Sequence, residues 1–265
     1  MRITLNKSIS RLVKSTLKHF GIGIIRYSSL QRLRENESAS DDIKMLFTLP
    51  NENASQIIKY LPMSQSQIRQ DLFVLSELNF KKNGYFVEFG ATDGIYLSNT
   101  YLMEKELGWK GIIAEPARYW HQDLVKNRNC HIEHKCVWKD SSSVLTFNEA
   151  DMPGLSTINS YSSNDGYSKE RKKGKMYDVK TISLTDLLIK YNAPTKIDYL
   201  SIDTEGSELE ILEHFDFNKY SFNVITCEHN FTPIRESISE LLGGHGYVRK
   251  FQELSKFDDW YVKSK

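Results

Sequence analysis

The run YFVEFGATDG, Tyr85 to Gly94, constrains the fold more than any other stretch of this chain. Tyr85, Phe86, Val87 and Phe89 form an almost unbroken apolar segment, as expected of a parallel strand covered on both faces. Glu88 is the one charge within it, and a buried carboxylate needs a strong partner, for which a cationic cofactor amine or a ribose hydroxyl would serve. An edge strand with Glu88 facing water is the alternative. Gly90 and Gly94 permit a sharp turn and close approach of a ligand. Ser98, Asn99 and Thr100 are N-cap types that open a helix through Leu102, Met103 and Leu107, which Gly108 can end. Strand, glycine turn and helix make the first unit of a doubly wound α/β sheet.

Spacing separates the candidate cofactors. A dinucleotide site wants G-x-G-x-x-G at a helix N-terminus, whereas here the glycines lie at G-x-x-x-G with Asp93 between them, where a diphosphate would be repelled. Glu88 and Asp93 suit a cationic ligand without phosphate, and S-adenosylmethionine has that character. The segment Gly111-Ile-Ile-Ala-Glu115-Pro116 is a second short strand ending in a carboxylate, and Glu115 there can accept both ribose hydroxyls.

Further along, Ile197 to Ile202 reads as a buried strand ending at Asp203, and Ser207 with Glu210 has capping-box spacing before a helix. Val224 to Cys227 forms another strand, ending in Glu228-His229-Asn230. Two adjacent strand ends thus gather oxygen and imidazole groups where open sheets place active sites. Asp203 and Glu228 could hold a hard divalent ion such as magnesium, lowering the pKa of a coordinated hydroxyl. Without a metal, Asp203 would hydrogen-bond cofactor or substrate, with His229 as general base. Glu205 and Glu208 read as helix N-terminal charge. His121, His131, His134 and His245 read as surface or structural.

VEFGATDGIYLSNT, GIIAEP, VKTISLTDLL and YLSIDTEGSELEIL together resemble the FkbM family of S-adenosylmethionine-dependent methyltransferases, from about Gln67 to the C-terminus. Members carry an acidic residue, G-A-x-x-G and then Ser or Thr in the first motif, and an I-D-x-E-G-x-E block near the fourth strand. Glu88 stands where many have Asp. The resemblance implies a Rossmann-like class I methyltransferase: a mainly parallel, seven-stranded sheet with an antiparallel C-terminal edge, plus a helical N-terminal extension. It also implies O-methylation of a sugar, glycan or related hydroxyl. Glu88, Gly90, Ala91, Asp93, Gly94 and Asn99 would border the methionine part, Glu115 and Pro116 the ribose, and Asp140 or Trp138 the adenine. Asp203, Glu228 and His229 would serve the acceptor. Two alternatives stay open: a non-catalytic scaffold in glycan assembly, and a nicotinamide oxidoreductase.

The remaining sequence sets the limits. A 265-residue chain with net charge +1 can hold one main domain and offers no global case for nucleic acid. Cys130, Cys136 and Cys227 lack metal spacing and read as buried thiols in a reducing compartment, which places the protein in the cytoplasm. Residues 1–65 read as an extension and residues 66–265 as the methyltransferase domain. Within the extension, Leu5, Ile9, Leu12, Val13, Leu17 and Phe20 oppose Lys7, Arg11, Lys14 and Lys18 on a basic amphipathic helix. Such a helix is a membrane-surface anchor at the inner face, a partner-binding helix, a transit peptide or a helix packed on its own domain. Glu35 to Ser66 reads as a polar linker with short helices. The polar stretch from Asp151 to Asp178, including SKERKKGK, is a candidate lid over the acceptor, with basic side chains that could meet a phosphate.

Overall fold

Each apolar run expected to be a strand forms one, and their pairing brings the acidic strand ends together. In the computed structural model the described residues are 27–164 and 166–264, with side chains from Ser38 onward. The chain divides into two compact units, Met1–Met45 and Leu46–Lys265. The helix Tyr27–Thr48 belongs to both, and the basic amphipathic helix expected in residues 1–26 lies outside the described residues. Everything below concerns the second unit.

Eleven strands are described there: β1 (Tyr85–Phe89), β2 (Lys110–Ala114), β3 (His131–Glu133), β4 (Cys136–Trp138), β5 (Val144–Glu149), β6 (Thr157–Ile158), β7 (Lys175–Ser183), β8 (Lys196–Ile202), β9 (Ser221–Glu228), β10 (Tyr247–Lys250) and β11 (Asp258–Lys263). Seven form the main sheet in the order β10-β11-β9-β8-β1-β2-β3. Its strands are parallel except β11, which runs antiparallel to both neighbours. The architecture is therefore the Rossmann-like one with an antiparallel C-terminal edge. From β1 the chain builds outward through β2 and β3, then returns to add β8 and β9 on the other side. The seam between β1 and β8 is the topological switch point, the usual place for a ligand in an open sheet.

Strand alternation decides which side chains meet. Val87 and Phe89 of β1 join Leu200 and Ile202 of β8 and Phe222 and Ile225 of β9 in one core. The helices Leu184–Lys190, Glu208–Glu213 and Ile234–Gly244 cover this face with Leu187, Leu188, Ile211, Leu212, Ile238 and Leu242. Phe86 and Glu88 point to the opposite face. Gly108 ends the helix Tyr101–Leu107 in the left-handed conformation at φ +69°, as its residue type predicts.

One placement was not expected, and two expectations need correction. The third strand outward from β1 in the main sheet is β3, and the more apolar Cys136–Trp138 lies elsewhere. That segment enters a second, four-stranded sheet in the order β4-β7-β5-β6. Val137 joins the main core, while Cys136 and Trp138 join Phe147, Ile158 and Val179 in a smaller one. A strand apolar on both faces because it serves two cores cannot be told by pattern from one buried within a single sheet. Next, much of the stretch read as linker packs on this unit: Ile57 and Tyr60 are buried, and Asn53 donates to the Ser76 carbonyl at 3.0 Å. Finally, the helix after Gly206 has no Ser207–Glu210 box: Ser207 makes no capping bond, and Glu208 Oε1 accepts from the Thr204 and Gly206 amides of the preceding turn.

Candidate active site

A cavity of about 490 Å³ opens beyond the carboxyl ends of β1, β2, β8 and β9. Its floor comes from the sheet: Phe89 and Gly90, Ala114 and Glu115, Asp203, and Glu228. The second sheet and its loops supply one wall through Val137, Phe147, Met152 and Leu155, and Gln67, Tyr96 and Leu97 supply another. Gly90 is obligatory at the seam. Its φ is +77°, and a Cβ there would stand 2.1 Å from the Asp203 carbonyl oxygen. Among the described residues the cavity lining contains five carboxylates, Glu115, Asp151, Asp203, Glu205 and Glu228, and no lysine, arginine or histidine.

Glu115 sits at the end of β2 with both oxygens held by the backbone: Oε2 accepts from Thr92 N at 3.2 Å and Oε1 from Ala117 N at 2.8 Å. These bonds fix its orientation and leave lone pairs for a ligand's hydroxyls. Burial pushes its pKa up to about 8, against the lowering effect of the two amides. Pro116 lines the cavity beside it. On the β1 side, Asn99 is also in the wall. Its Nδ2 donates to Ser201 Oγ at 2.9 Å, and its Oδ1 has no partner. Whichever way the amide is turned, one polar atom of this buried side chain is left to a ligand.

Glu88 does not line the cavity. Its carboxylate accepts from Ser98 Oγ, from Asn99 N at 2.6 Å and from Thr100 Oγ1 at 2.5 Å, and it lies 3.6 Å from the guanidinium of Arg128. Arg128 in turn donates to the Gly94 carbonyl, Ser98 Oγ, Thr100 Oγ1 and Glu104. The partner that burial demands is thus internal, and Glu88 shapes the 94–100 turn that presents Asn99. Thr100, at the helix N-cap position, gives its hydroxyl to Glu88 instead of capping. Asp93 lies outside the cavity lining too: its Oδ1 accepts from Ile95 N and Tyr96 N within the turn. Gly94 is needed because a Cβ at φ +83° would meet Arg128 Cγ at 2.6 Å. Ala91 is buried next to Gly90 and is not part of the lining.

At the β8 and β9 ends, oxygens of Asp203, Glu205 and Glu228 lie within 4.8 Å of one another. Burial raises Asp203 to about 7, against the lowering effect of a hydrogen bond with Glu228, and burial together with the Asp203 charge drives Glu228 well above the usual carboxylate range. No cation pairs with either among the described residues. Glu205 was legible only as helix-terminal charge, yet it completes the cluster. His229, by contrast, turns away from the cavity. Its Nδ1 accepts from Phe231 N at 3.0 Å, so the neutral ring carries its proton on Nε2, 3.8 Å from Asp259. Asp259 also takes Arg235 and Arg249. Burial lowers the His229 pKa. A general-base role for His229 does not fit this placement, because the strand end rotates Glu228 inward and the next residue outward. Asp140 and Trp138 are likewise outside the lining. Asp140 accepts from Ser142 N and Ser143 N in an exposed turn, and Trp138 is buried in the small core.

The profile of the FkbM methyltransferase domain matches residues 88–258, which span both strand ends with their carboxylates and the second sheet. The chain belongs to the FkbM methyltransferase family. As such it is an S-adenosylmethionine-dependent methyltransferase, and the nicotinamide alternative falls away. A methyltransferase named sdnD from Sordaria araneosa is 27% identical over 197 residues, covering 64% of this chain and 75% of that protein. Among solved structures, the precorrin-6y C5,15-methyltransferase of Geobacter metallireducens aligns with TM-score 0.37 and 11% identity over 72% of this chain and 85% of its own. A TehB-like S-adenosylmethionine-dependent methyltransferase of Corynebacterium glutamicum aligns with TM-score 0.35 and 10% identity over 81% and 97%.

For this FkbM methyltransferase, the residues missed by sequence reasoning are those that complete buried pairs. Arg128 for Glu88 and Arg171 for Glu205 are distant in the chain, and Arg171, within SKERKKGK, was legible only as a basic side chain that could meet a phosphate. The basic segment of the insertion does not offer this arginine to a ligand phosphate, because its guanidinium is spent on Glu205 at 2.7 Å.

Proposed function

We propose that this protein transfers a methyl group to a hydroxyl of a sugar, glycan or related polyol acceptor. The observation that carries the reading is the Asp203–Glu228 pair: a half-buried and a buried carboxyl with no cationic partner among the described residues, at the cavity end of the switch point. Such a pair shares a proton and takes up another near neutral pH, which suits removal of a hydroxyl proton as oxygen attacks. When bound, S-adenosylmethionine supplies an electrophilic methyl. Glu115 would accept the ribose hydroxyls and the unpartnered Asn99 atom would meet a polar group of the methionine part. The absence of basic side chains in the lining suits a cofactor of net positive charge. The 151–156 loop closes one side of the cavity, so that acceptor oxygen and methyl meet away from bulk water.

A metal-assisted version of the same reaction draws support from the donor set. Asp203 and Glu228 are hard oxygen ligands, and magnesium is commonly held by one or two carboxylates with several waters retained. There it would acidify the acceptor hydroxyl. Titration of the full chain with S-adenosylhomocysteine, with and without magnesium, tests both versions. Micromolar binding that Glu115→Ala weakens supports the cofactor site, and binding that tightens with magnesium supports the metal. No binding in either condition returns the weight to the non-catalytic scaffold. We also propose that residues 1–26 bring the enzyme to the inner face of the membrane. No described helix is long and apolar enough to cross one. Deletion of residues 1–26 should abolish sedimentation with anionic liposomes; unchanged sedimentation would refute it.

A further inference from the structure

The third carboxylate of the cluster has a resident cation. Arg171 closes the short helix Ser168–Arg171 and is fully buried, although it lies in one of the most basic stretches of the chain. Its Nη2 donates to Glu205 Oε2 at 2.7 Å, and its Nε donates to the Leu155 carbonyl at 2.7 Å. Both contacts matter to the cavity, because Glu205 and Leu155 line it from different sides. The surrounding bonds hold the arrangement in place. Asn148 donates to the Arg171 carbonyl at 3.1 Å, Thr157 Oγ1 donates to the Glu205 carbonyl at 2.9 Å, and Asn230 Nδ2 lies 3.4 Å from Glu205 Oε2. Glu205 itself adopts φ +59°, a conformation uncommon for a residue with a Cβ, which directs its side chain toward the insertion.

Three carboxylates this close would form a ligand set for a divalent ion, since oxygen donors and negative charge raise such affinity together. A guanidinium alters that balance: it stays charged at all working pH values and fixes a carboxylate through directed hydrogen bonds. We propose that Arg171 is a built-in counter-ion that neutralises Glu205 within the cluster, so that of the three only Asp203 and Glu228 offer uncompensated carboxylates to the cavity and no divalent ion is gripped by three. By the same bonds it fastens the 151–156 wall to the end of β8. The inference rests on this geometry and holds whatever the acceptor.

The test is a manganese titration of the full chain, with free Mn²⁺ followed by electron paramagnetic resonance. Wild type and Arg171→Lys, which keeps the charge, should bind Mn²⁺ weakly. Arg171→Gln should bind it at least about tenfold more tightly, and Arg171→Gln/Glu205→Gln should return to the wild-type value. Structural damage alone would not produce a gain that a second substitution cancels. A folded Arg171→Gln with no gain, or a wild type that binds as tightly as Arg171→Gln, overturns the proposal. Should Arg171→Gln fail to fold, wild type decides: a dissociation constant below about 100 μM overturns the proposal, and a weaker one sustains it.

Discussion

Glu88 and the Asp203–Glu228 pair both place acid in or beside the protein interior at the end of a central strand, Asp203 half-buried and the others buried, yet they have opposite electrostatic accounts. Glu88 is met by a guanidinium, two hydroxyls and a backbone amide. Asp203 and Glu228 meet chiefly each other. The first arrangement fixes a turn; the second leaves charge unbalanced at the wall of a cavity. Burial of a carboxylate is therefore a poor marker of function, and what distinguishes the two sites is the demand the protein leaves unmet.

If that distinction is right, Glu88→Ala should destabilise the protein by about 3–5 kcal/mol, because it leaves three donors without their acceptor in the interior and removes one of the two carboxylates beside Arg128. Chemical denaturation measures this directly, and a loss below about 1 kcal/mol would erase the contrast. The second expectation concerns pH. A carboxyl whose pKa is raised on folding holds its proton more tightly in the native state. Its stabilising contribution is complete below the unfolded pKa and is lost as pH rises through the folded one. With Asp203 near 7 and Glu115 near 8, the ligand-free protein should lose about 6 kcal/mol of stability between about pH 5 and 8. Asp203→Asn should flatten this slope, whereas stability that rises over the same range would contradict the burial argument.

Rates sharpen the comparison further. Asp203→Asn should lower methyl transfer at least about a hundredfold while leaving the melting temperature unchanged or higher, since it removes one of two repelling charges. Equal loss of fold and rate would place Asp203 beside Glu88 as a structural acid. The smallest expected effect is at Asn99. Asn99→Ala should weaken S-adenosylhomocysteine binding about fivefold, read by calorimetry, through loss of one neutral hydrogen-bonding group.

Strand ends, glycine turns and their acids were readable from sequence because the relevant information is local. A period-two apolar run, a glycine forced to positive φ and a carboxylate one residue past the strand are all encoded within ten positions. Arg171 and Glu205, 34 residues apart, are not, because only the folded insertion brings them together. The inward turn of Glu228 and outward turn of His229 were hidden for another reason. The end of β9 is paired to β11 at Asp258 opposite Glu228, and that register decides which side chain sees the cavity. The place of Cys136–Trp138 was hidden because its pattern fits either of two cores.

The second sheet carries a different kind of consequence. One side of the cavity is mounted on β1, β2, β8 and β9, and another on loops of the β4-β7-β5-β6 sheet, joined to the first at Arg171, Thr157 and Val137. Lengthening or shortening residues 151–156 would reshape the acceptor's side of the chamber without shifting any register in the main sheet. In engineering terms, the cofactor berth and the acceptor berth are separate parts with a short list of bolts, and one can be refitted while the other is left alone.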